Sequence, residues 1–446
     1  MAPGTKLFGT DGVRGVAGEF LTADLAFALG RAIVALCETP SPQVLVIRDT
    51  RASGEMLEAA LCAGIAAEGG QAMMGGILPT PAASILASQY GFDLAAVISA
   101  SHNPFQDNGI KFFDGGGSKL SDESEAVVER CVLEGKRPYP NVKRPLYGRV
   151  RPLAGTLDDY LRALEGRFDA GSLAGSRVLL DTAHGATYQA APIMFERLGA
   201  EVDVIADEPD GVNINEACGS THMEAIVERM KAGQYDVGFA FDGDGDRVLA
   251  VGRDGTTVDG DEIIAHAALD LQKRGELVGG VAVTVMTNFG FHNAMREAGI
   301  EVATTQVGDR YVLEALRERG WTLGGEQSGH VIDMSFNATG DGTASALLSL
   351  EALAGEDLAA RHAMRKLPQR LVNVRVGDRD AVMDSPELAE AIEREGEGLS
   401  GRGRVLVRPS GTEPLVRVMV EAPGEDEADE VTARLVAIVE GVAAPA

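Results

Sequence analysis

The chain has 446 residues, 45% hydrophobic and 24% charged, an ordinary globular composition. Its 67 acidic against 40 basic residues give a formal charge of -27, which argues against a nucleic-acid partner because phosphates would be repelled over most of the surface. No apolar run approaches transmembrane length, no apolar leader follows Met1, and Cys37, Cys62, Cys131 and Cys218 share no metal-ligand spacing. A cytoplasmic protein with reduced thiols and no membrane partner is expected, long enough for about three or four domains.

Phe8-Gly-Thr-Asp-Gly-Val-Arg-Gly15 opens the chain with a glycine-spaced loop carrying Thr10, Asp11 and Arg14, whose free amides suit an anion. A helix follows, with Thr22 as its N-cap. Val44 to Asp49 reads as a strand, then a helix, then Glu68-Gly-Gly-Gln-Ala72 leads into another strand. The same plan recurs at Arg177–Asp181 with Leu198-Gly-Ala-Glu-Val202, and at Val281–Thr287 with Ala298-Gly-Ile-Glu-Val302. Three strand–helix–glycine turn–strand units predict three α/β domains of similar plan. Breaks are expected at 135–148, near Gly252–Gly255 and near Arg365–Pro368. Beyond the last, an alternating strand from Leu371, helices from Pro386 and Glu425, and a strand pair around Pro409 predict a smaller antiparallel unit.

Within the first unit, the apolar strand Leu94–Ile98 breaks before Pro104, which places Ser101 and His102 on a turn at a strand's carboxyl end. Lys111 follows on the strand Gly109–Phe113. A hydroxyl beside a histidine and a lysine suits a nucleophile, although Ser, Asn and Pro are also ordinary turn residues. In Phe239-Ala-Phe-Asp-Gly-Asp-Gly-Asp-Arg247, alternate carboxylates of an extended segment would converge, so Asp242, Asp244 and Asp246 suit a hard divalent cation. An EF-hand is excluded, because Arg247 takes the place of its turn glycine and Arg253 that of its bidentate Glu.

Two further loops complete the set. In Gly324-Gly-Glu-Gln-Ser-Gly-His330, Glu326 and Ser328 can face one side to bond vicinal hydroxyls, and His330 can move a proton. Arg408-Pro-Ser-Gly-Thr-Glu-Pro414 joins two strands. There Gly411 permits a backbone nest, Ser410 and Thr412 add hydroxyls and Arg408 adds a fork-shaped cation, which together make a phosphate loop with no P-loop motif in the chain.

The motifs Phe8–Gly15, Ser99-Ala-Ser-His-Asn-Pro104, Asp242–Arg247, Gly325–His330 and Arg408–Pro414, in this order, resemble the α-D-phosphohexomutase superfamily over nearly the whole chain. Their wording is closest to the bacterial members that act on glucosamine phosphates. The resemblance implies an α/β fold of four domains around a central cleft. Residues 1–150 would carry the phosphoserine loop, 151–252 the metal loop and 253–366 the sugar loop, as three similar mixed-sheet domains. Residues 367–446 would form a smaller α+β lid that binds phosphate, hinged near Leu367–Pro368.

It further implies that Ser101 is the phosphoserine and that Asp242, Asp244 and Asp246, with its phosphate, hold Mg²⁺. Glu326 and Ser328 would bind the sugar, and Arg408, Ser410, Gly411 and Thr412 the non-reacting phosphate. Arg14 and Lys111 would stabilise charge, Lys111 or His330 would relay the proton, and His102 would shape the loop. The expected substrate is an amino-sugar phosphate and the intermediate a sugar 1,6-bisphosphate; a homodimer is carried as an expectation. The rival readings are a phosphomannomutase or phosphoglucomutase, a phosphoserine-dependent phosphatase, and a non-catalytic sugar-phosphate binder.

Overall fold

The computed structural model of the chain describes residues 6–9, 11–135, 139, 142–358, 363–410 and 414–443. The first of its sheets contains β1 (Val13–Val16), β2 (Gln43–Arg48), β3 (Gln71–Ile77), β4 (Leu94–Ile98), β5 (Asp107–Asp114) and β6 (Arg149–Pro152), in the order β1-β5-β4-β2-β3-β6. β2, β3, β4 and β6 are parallel neighbours, whereas β5 runs antiparallel to β4 and β1. Val44 to Ile47 are fully buried, as expected of a strand covered on both faces. Glycine lets the helices Ala23–Ala35 and Ser53–Ala67 approach closely: a Cβ on Gly30 would meet Leu61 O at 2.2 Å, and one on Gly64 would meet Phe27 O at 2.1 Å. Thr22 caps the first of these helices by accepting from Leu25 N at 3.2 Å.

The second sheet holds β7 (Arg177–Asp181), β8 (Glu201–Ile205), β9 (Val237–Phe241), β10 (Val248–Gly252) and β11 (Thr257–Val258), ordered β11-β10-β9-β7-β8. β7 is parallel to β8 and β9, and β9 turns back antiparallel into β10. The third holds β12 (Val281–Thr284), β13 (Val302–Thr305), β14 (Leu323–Gly325) and β15 (Val331–Asp333), ordered β13-β12-β14-β15. The strand expected to reach Thr287 ends at Thr284, because Asn288 caps the next helix by accepting from Gly290 N. β16 (Gln369–Arg375), β17 (Arg404–Pro409) and β18 (Leu415–Glu421) form an antiparallel sheet with β18 central.

The chain divides into two compact units, 1–285 with 303–360, and 286–302 with 361–446. The larger contains the first two sheets and most of the third. In the smaller, Val416, Val418 and Val420 of β18 pack with Leu388, Val431, Leu435 and Val439 of the helices Pro386–Gly398 and Glu425–Ala443.

The helix Phe289–Ala298 is fastened into the smaller unit. The Asn288 side chain donates to Leu367 O at 3.0 Å and accepts from Leu367 N at 2.9 Å. Fully buried Glu421 accepts from Phe289 N at 2.8 Å and from Arg404 Nε at 2.8 Å. Leu367–Pro368, expected as a hinge, lies inside this unit instead: Leu367 is bonded both ways to Asn288, and Pro368 O accepts from Ala422 N at 3.2 Å. Among the described residues, no helix is long and apolar enough to cross a membrane.

Candidate active site

Ser101 stands on the turn after β4 with φ at 52°, a left-handed backbone that a side-chain-bearing residue adopts only under tertiary restraint. The restraint is visible. Ser101 N donates to Ser99 Oγ at 3.0 Å, and Ser99 Oγ donates to Asp49 Oδ2 at 2.6 Å. Fully buried Arg51 pairs with Asp49 Oδ2 at 2.9 Å and donates to the carbonyls of Ser101 (2.9 Å), Asn103 (2.8 Å), Asp107 (3.0 Å) and Pro104. From the second sheet's side, Asn215 Nδ2 also donates to Ser101 O at 2.9 Å and Asn103 O at 3.0 Å. Neither Arg51 nor Asn215 lies in a recognisable motif, so the sequence pattern passed over both.

The aspartate triplet fills the β9–β10 connection. This segment is a tight turn rather than the extended run expected. Gly245 takes φ of 71° and its N–H returns to Asp242 O at 3.1 Å. The carboxylates converge all the same, with one oxygen from each of the three within 4.8 Å of the others. Ser101 Oγ donates to Asp242 Oδ2 at 2.6 Å. Lys111 Nζ at 2.8 Å and Thr80 Oγ1 at 2.7 Å both donate to Asp244 Oδ2.

Burial, then repulsion from Asp244 and Asp246, pushes the Asp242 carboxyl well above its usual range. Asp244 is buried too, but Lys111 outweighs that and holds it low. Among the described residues, buried Asp244 Oδ1 and Asp246 Oδ1 find no hydrogen-bond partner. Three crowded carboxylates with two such oxygens fit a hard divalent cation.

Beside this turn lies a cavity of about 400 Å³, lined in part by Asp11, Arg14, His102, Arg247, Glu326 and His330. Lys111 is 2% exposed and also meets Asp11 Oδ2 at 3.1 Å. Arg14 pairs with the same Asp11 carboxylate. His102 Nδ1 is 3.3 Å from Ser101 Oγ and 3.2 Å from Arg247 Nη1. Burial and the two arginines Arg247 and Arg14 lower the His102 pKa, so its neutral ring accepts from Arg247. His330 Nε2 accepts from Gly340 N at 3.1 Å, and Nδ1 is 3.6 Å from Asp246 Oδ2. Burial opposes charging of His330, but Asp246 and Asp309 prevail and raise its pKa.

Glu326 lines the cavity and accepts from Gly308 N at 3.0 Å. Ser328 is exposed on a turn closed by Gly329 N to Glu326 O at 3.0 Å. Gly329, at φ of 91°, makes the turn. In the smaller unit, Arg408 of β17 stands directly opposite Arg417 of β18, and burial with that neighbour lowers the Arg408 pKa. Ser410 is buried and its carbonyl accepts from Arg379. Gly411 and Thr412 lie outside the described residues. Lys119 and Asp309, which line the cavity, carried no motif, and Asp11 was visible only as a loop residue.

Four family models match the chain in sequence. Phosphoglucomutase/phosphomannomutase alpha/beta/alpha domain I matches residues 5–138, domain II 158–255, domain III 259–371 and the C-terminal domain 371–438. A phosphoglucosamine mutase of Moorella thermoacetica is 50% identical, aligned over 98% of this chain and 100% of its own. That of Mycolicibacterium smegmatis is 49% identical over 96% and 98%. Among solved structures, a phosphoglucomutase/phosphomannomutase family protein from Burkholderia thailandensis superposes with a TM-score of 0.82 at 24% identity, over 98% of this chain and 97% of that one. The N-acetylphosphoglucosamine mutase of Aspergillus fumigatus, solved with GlcNAc-6P and magnesium, gives 0.70 at 18% identity, over 99% and 97%.

Proposed function

This chain belongs to the phosphoglucomutase/phosphomannomutase family, and we propose on that footing that it interconverts glucosamine 6-phosphate and glucosamine 1-phosphate. The observation that carries the reading is the Ser101 hydroxyl, held 2.6 Å from Asp242 inside the carboxylate triplet with Lys111 alongside. The amino-sugar substrate is supported by relatives that are 45% to 50% identical and named phosphoglucosamine mutase.

In this reading Ser101 carries a phosphoryl group in the resting enzyme. The sugar's free hydroxyl attacks phosphorus, the bond from phosphorus to Oγ breaks, and a 1,6-bisphosphate forms. The bisphosphate turns over, and its other phosphoryl group returns to Oγ. Lys111 and Arg14 place positive charge beside the transferred group, and the attacking hydroxyl's proton passes to His330, or to Lys111 only in its unprotonated form. Asp242, Asp244 and Asp246 would hold Mg²⁺, which supplies charge neutralisation to the transferring phosphoryl group. Glu326 would bond sugar hydroxyls. In the smaller unit, the uncomfortable Arg408–Arg417 pair supports phosphate binding by Arg408, since an anion would relieve the repulsion.

Intact-mass measurement before and after incubation with glucosamine 1,6-bisphosphate tests this. One phosphoryl adduct, mapped to Ser101 and absent from Ser101→Ala, is expected, together with a higher kcat/KM for glucosamine than for glucose or mannose phosphates. An adduct on another residue, or equal efficiency on all three sugars, would reject the assignment.

A further inference from the structure

One half-buried cation in the cavity wall has no part in the chemistry above. Lys119 follows β5, with its side chain 15% exposed. Its Nζ is 2.7 Å from Asp11 Oδ1 and 2.6 Å from Asp309 Oδ2, carboxylates that lie 108 and 190 residues away in sequence. Each of these carboxylates leads on to a group assigned to the reaction. Asp11 Oδ2 is 3.1 Å from Lys111 Nζ and also pairs with Arg14. Asp309 Oδ2 is 3.7 Å from His330 Nε2.

The contacts close on themselves. Asp246 Oδ2 is 3.9 Å from Lys111 Nζ and 3.6 Å from His330 Nδ1. The result is a ring of alternating partners: Asp246, Lys111, Asp11, Lys119, Asp309 and His330. Two of its members join the wall built by the first sheet to the wall built by the third: Asp246, between Lys111 and His330, and Lys119, between Asp11 and Asp309. Behind it a second cavity, of about 180 Å³, shares Lys119, Asp309, Arg310 and His330 with the first. The Lys119, Asp309 and His330 edge of the ring therefore lines both cavities. Burial disfavours the charge on Lys119, but Asp11 and Asp309 outweigh it and keep the ammonium charged.

We infer that Lys119 is a positioning residue for the reaction: by bridging Asp11 and Asp309 it sets Lys111 on one wall and His330 on the other relative to the transferring group. Its Nζ is taken up by those two carboxylates, so it acts through the groups they hold. The inference rests on the roles given above to Lys111 and His330. A displacement of about 1 Å in such groups is worth on the order of 100-fold in rate, whereas an ion bridge that serves stability alone would leave turnover of the folded enzyme intact.

The experiment measures kcat, KM and Tm for Lys119→Met, Lys119→Arg and Lys111→Met in the full chain. Lys119→Met is expected to lower kcat by on the order of 30- to 100-fold with KM within about threefold, and Lys119→Arg to recover most of that loss. If Lys119→Met fails to fold, Asp309→Asn takes its place, with a kcat loss at unchanged KM expected there too. Wild-type kcat in Lys119→Met or its substitute, or a Lys119→Arg variant as slow as Lys119→Met, overturns the inference if Lys111→Met is inactive. Wild-type rates in Lys111→Met would instead sink the catalytic reading, and this inference with it.

Discussion

The Ser101 hydroxyl donates to Asp242 Oδ2 across 2.6 Å, joining a turn after β4 to the connection between β9 and β10. Asp242 is also the member of the triplet driven toward its protonated form, by burial and by Asp244 and Asp246. One carboxyl group thus touches the hydroxyl proposed to accept the phosphoryl group and bears the repulsion within the carboxylate triplet.

Asp242→Asn should therefore separate two effects. Without metal, its stability should stay within about 1 kcal/mol of wild type, because an amide resembles a protonated carboxyl. With Mg²⁺ at about 100 times its Kd, wild type should gain about 2.7 kcal/mol and the variant far less. Urea unfolding with and without Mg²⁺ measures both, and an equal gain in the two proteins would remove Asp242 from the site.

Arg51→Met should be among the most damaging single changes. It strips four carbonyls of a donor and leaves buried Asp49 without its partner, at a cost of about 3–5 kcal/mol. Asp49 already sits above its ordinary pKa because burial outweighs Arg51. Without Arg51 it rises further, so the penalty should grow as pH increases through the raised value. A loss below about 1 kcal/mol, or one flat with pH, would mean that the loop holds its shape by other means.

Asp341 gives a pH signature. It caps the helix Gly342–Leu353 by accepting from Ala344 N at 2.9 Å and accepts from Tyr160 OH at 3.0 Å, and burial raises its pKa from 3.8 to about 6. A raised folded-state value means the protonated form is favoured on folding. Its contribution is full below about pH 4 and is lost as pH climbs through about 6, up to about 3 kcal/mol in all. Asp341→Asn should remove that decline, so its stability relative to wild type should improve between pH 4 and 7. A constant difference across that range would refute the assignment.

The motifs that could be read from the chain were those whose chemistry is local. Glycines and aspartates in alternation announced the carboxylate turn, and a strand ending before Pro104 announced the turn of Ser101. The same local logic misjudged geometry. Asp242 to Asp246 were read as extended because alternation suggests a strand, whereas Gly245 turns the chain and still gathers the carboxylates. Gly329 likewise turns the chain just after Glu326 and Ser328.

Arg51, Asn215, Lys119 and Asp309 were illegible because these partners lie 50 or more residues away, or because their value comes from carbonyls that carry no sequence signature. The strand–helix–strand repeats were legible, since burial on both faces writes itself as apolar runs. The attachment of the helix Phe289–Ala298 to the smaller unit was not.

That attachment bears on modularity. The segment 371–438 matches a domain family by itself, yet Glu421 within it gives its carboxylate to Phe289 N, and Arg404 reaches Thr287 O at 2.6 Å. Excised at its family borders, the piece would expose an acid that natively has 0% accessibility, and would take Phe289 N from Glu421 and Thr287 O from Arg404. The C-terminal domain is thus not a portable cassette: a graft that keeps its stability must carry residues 286–302 with it.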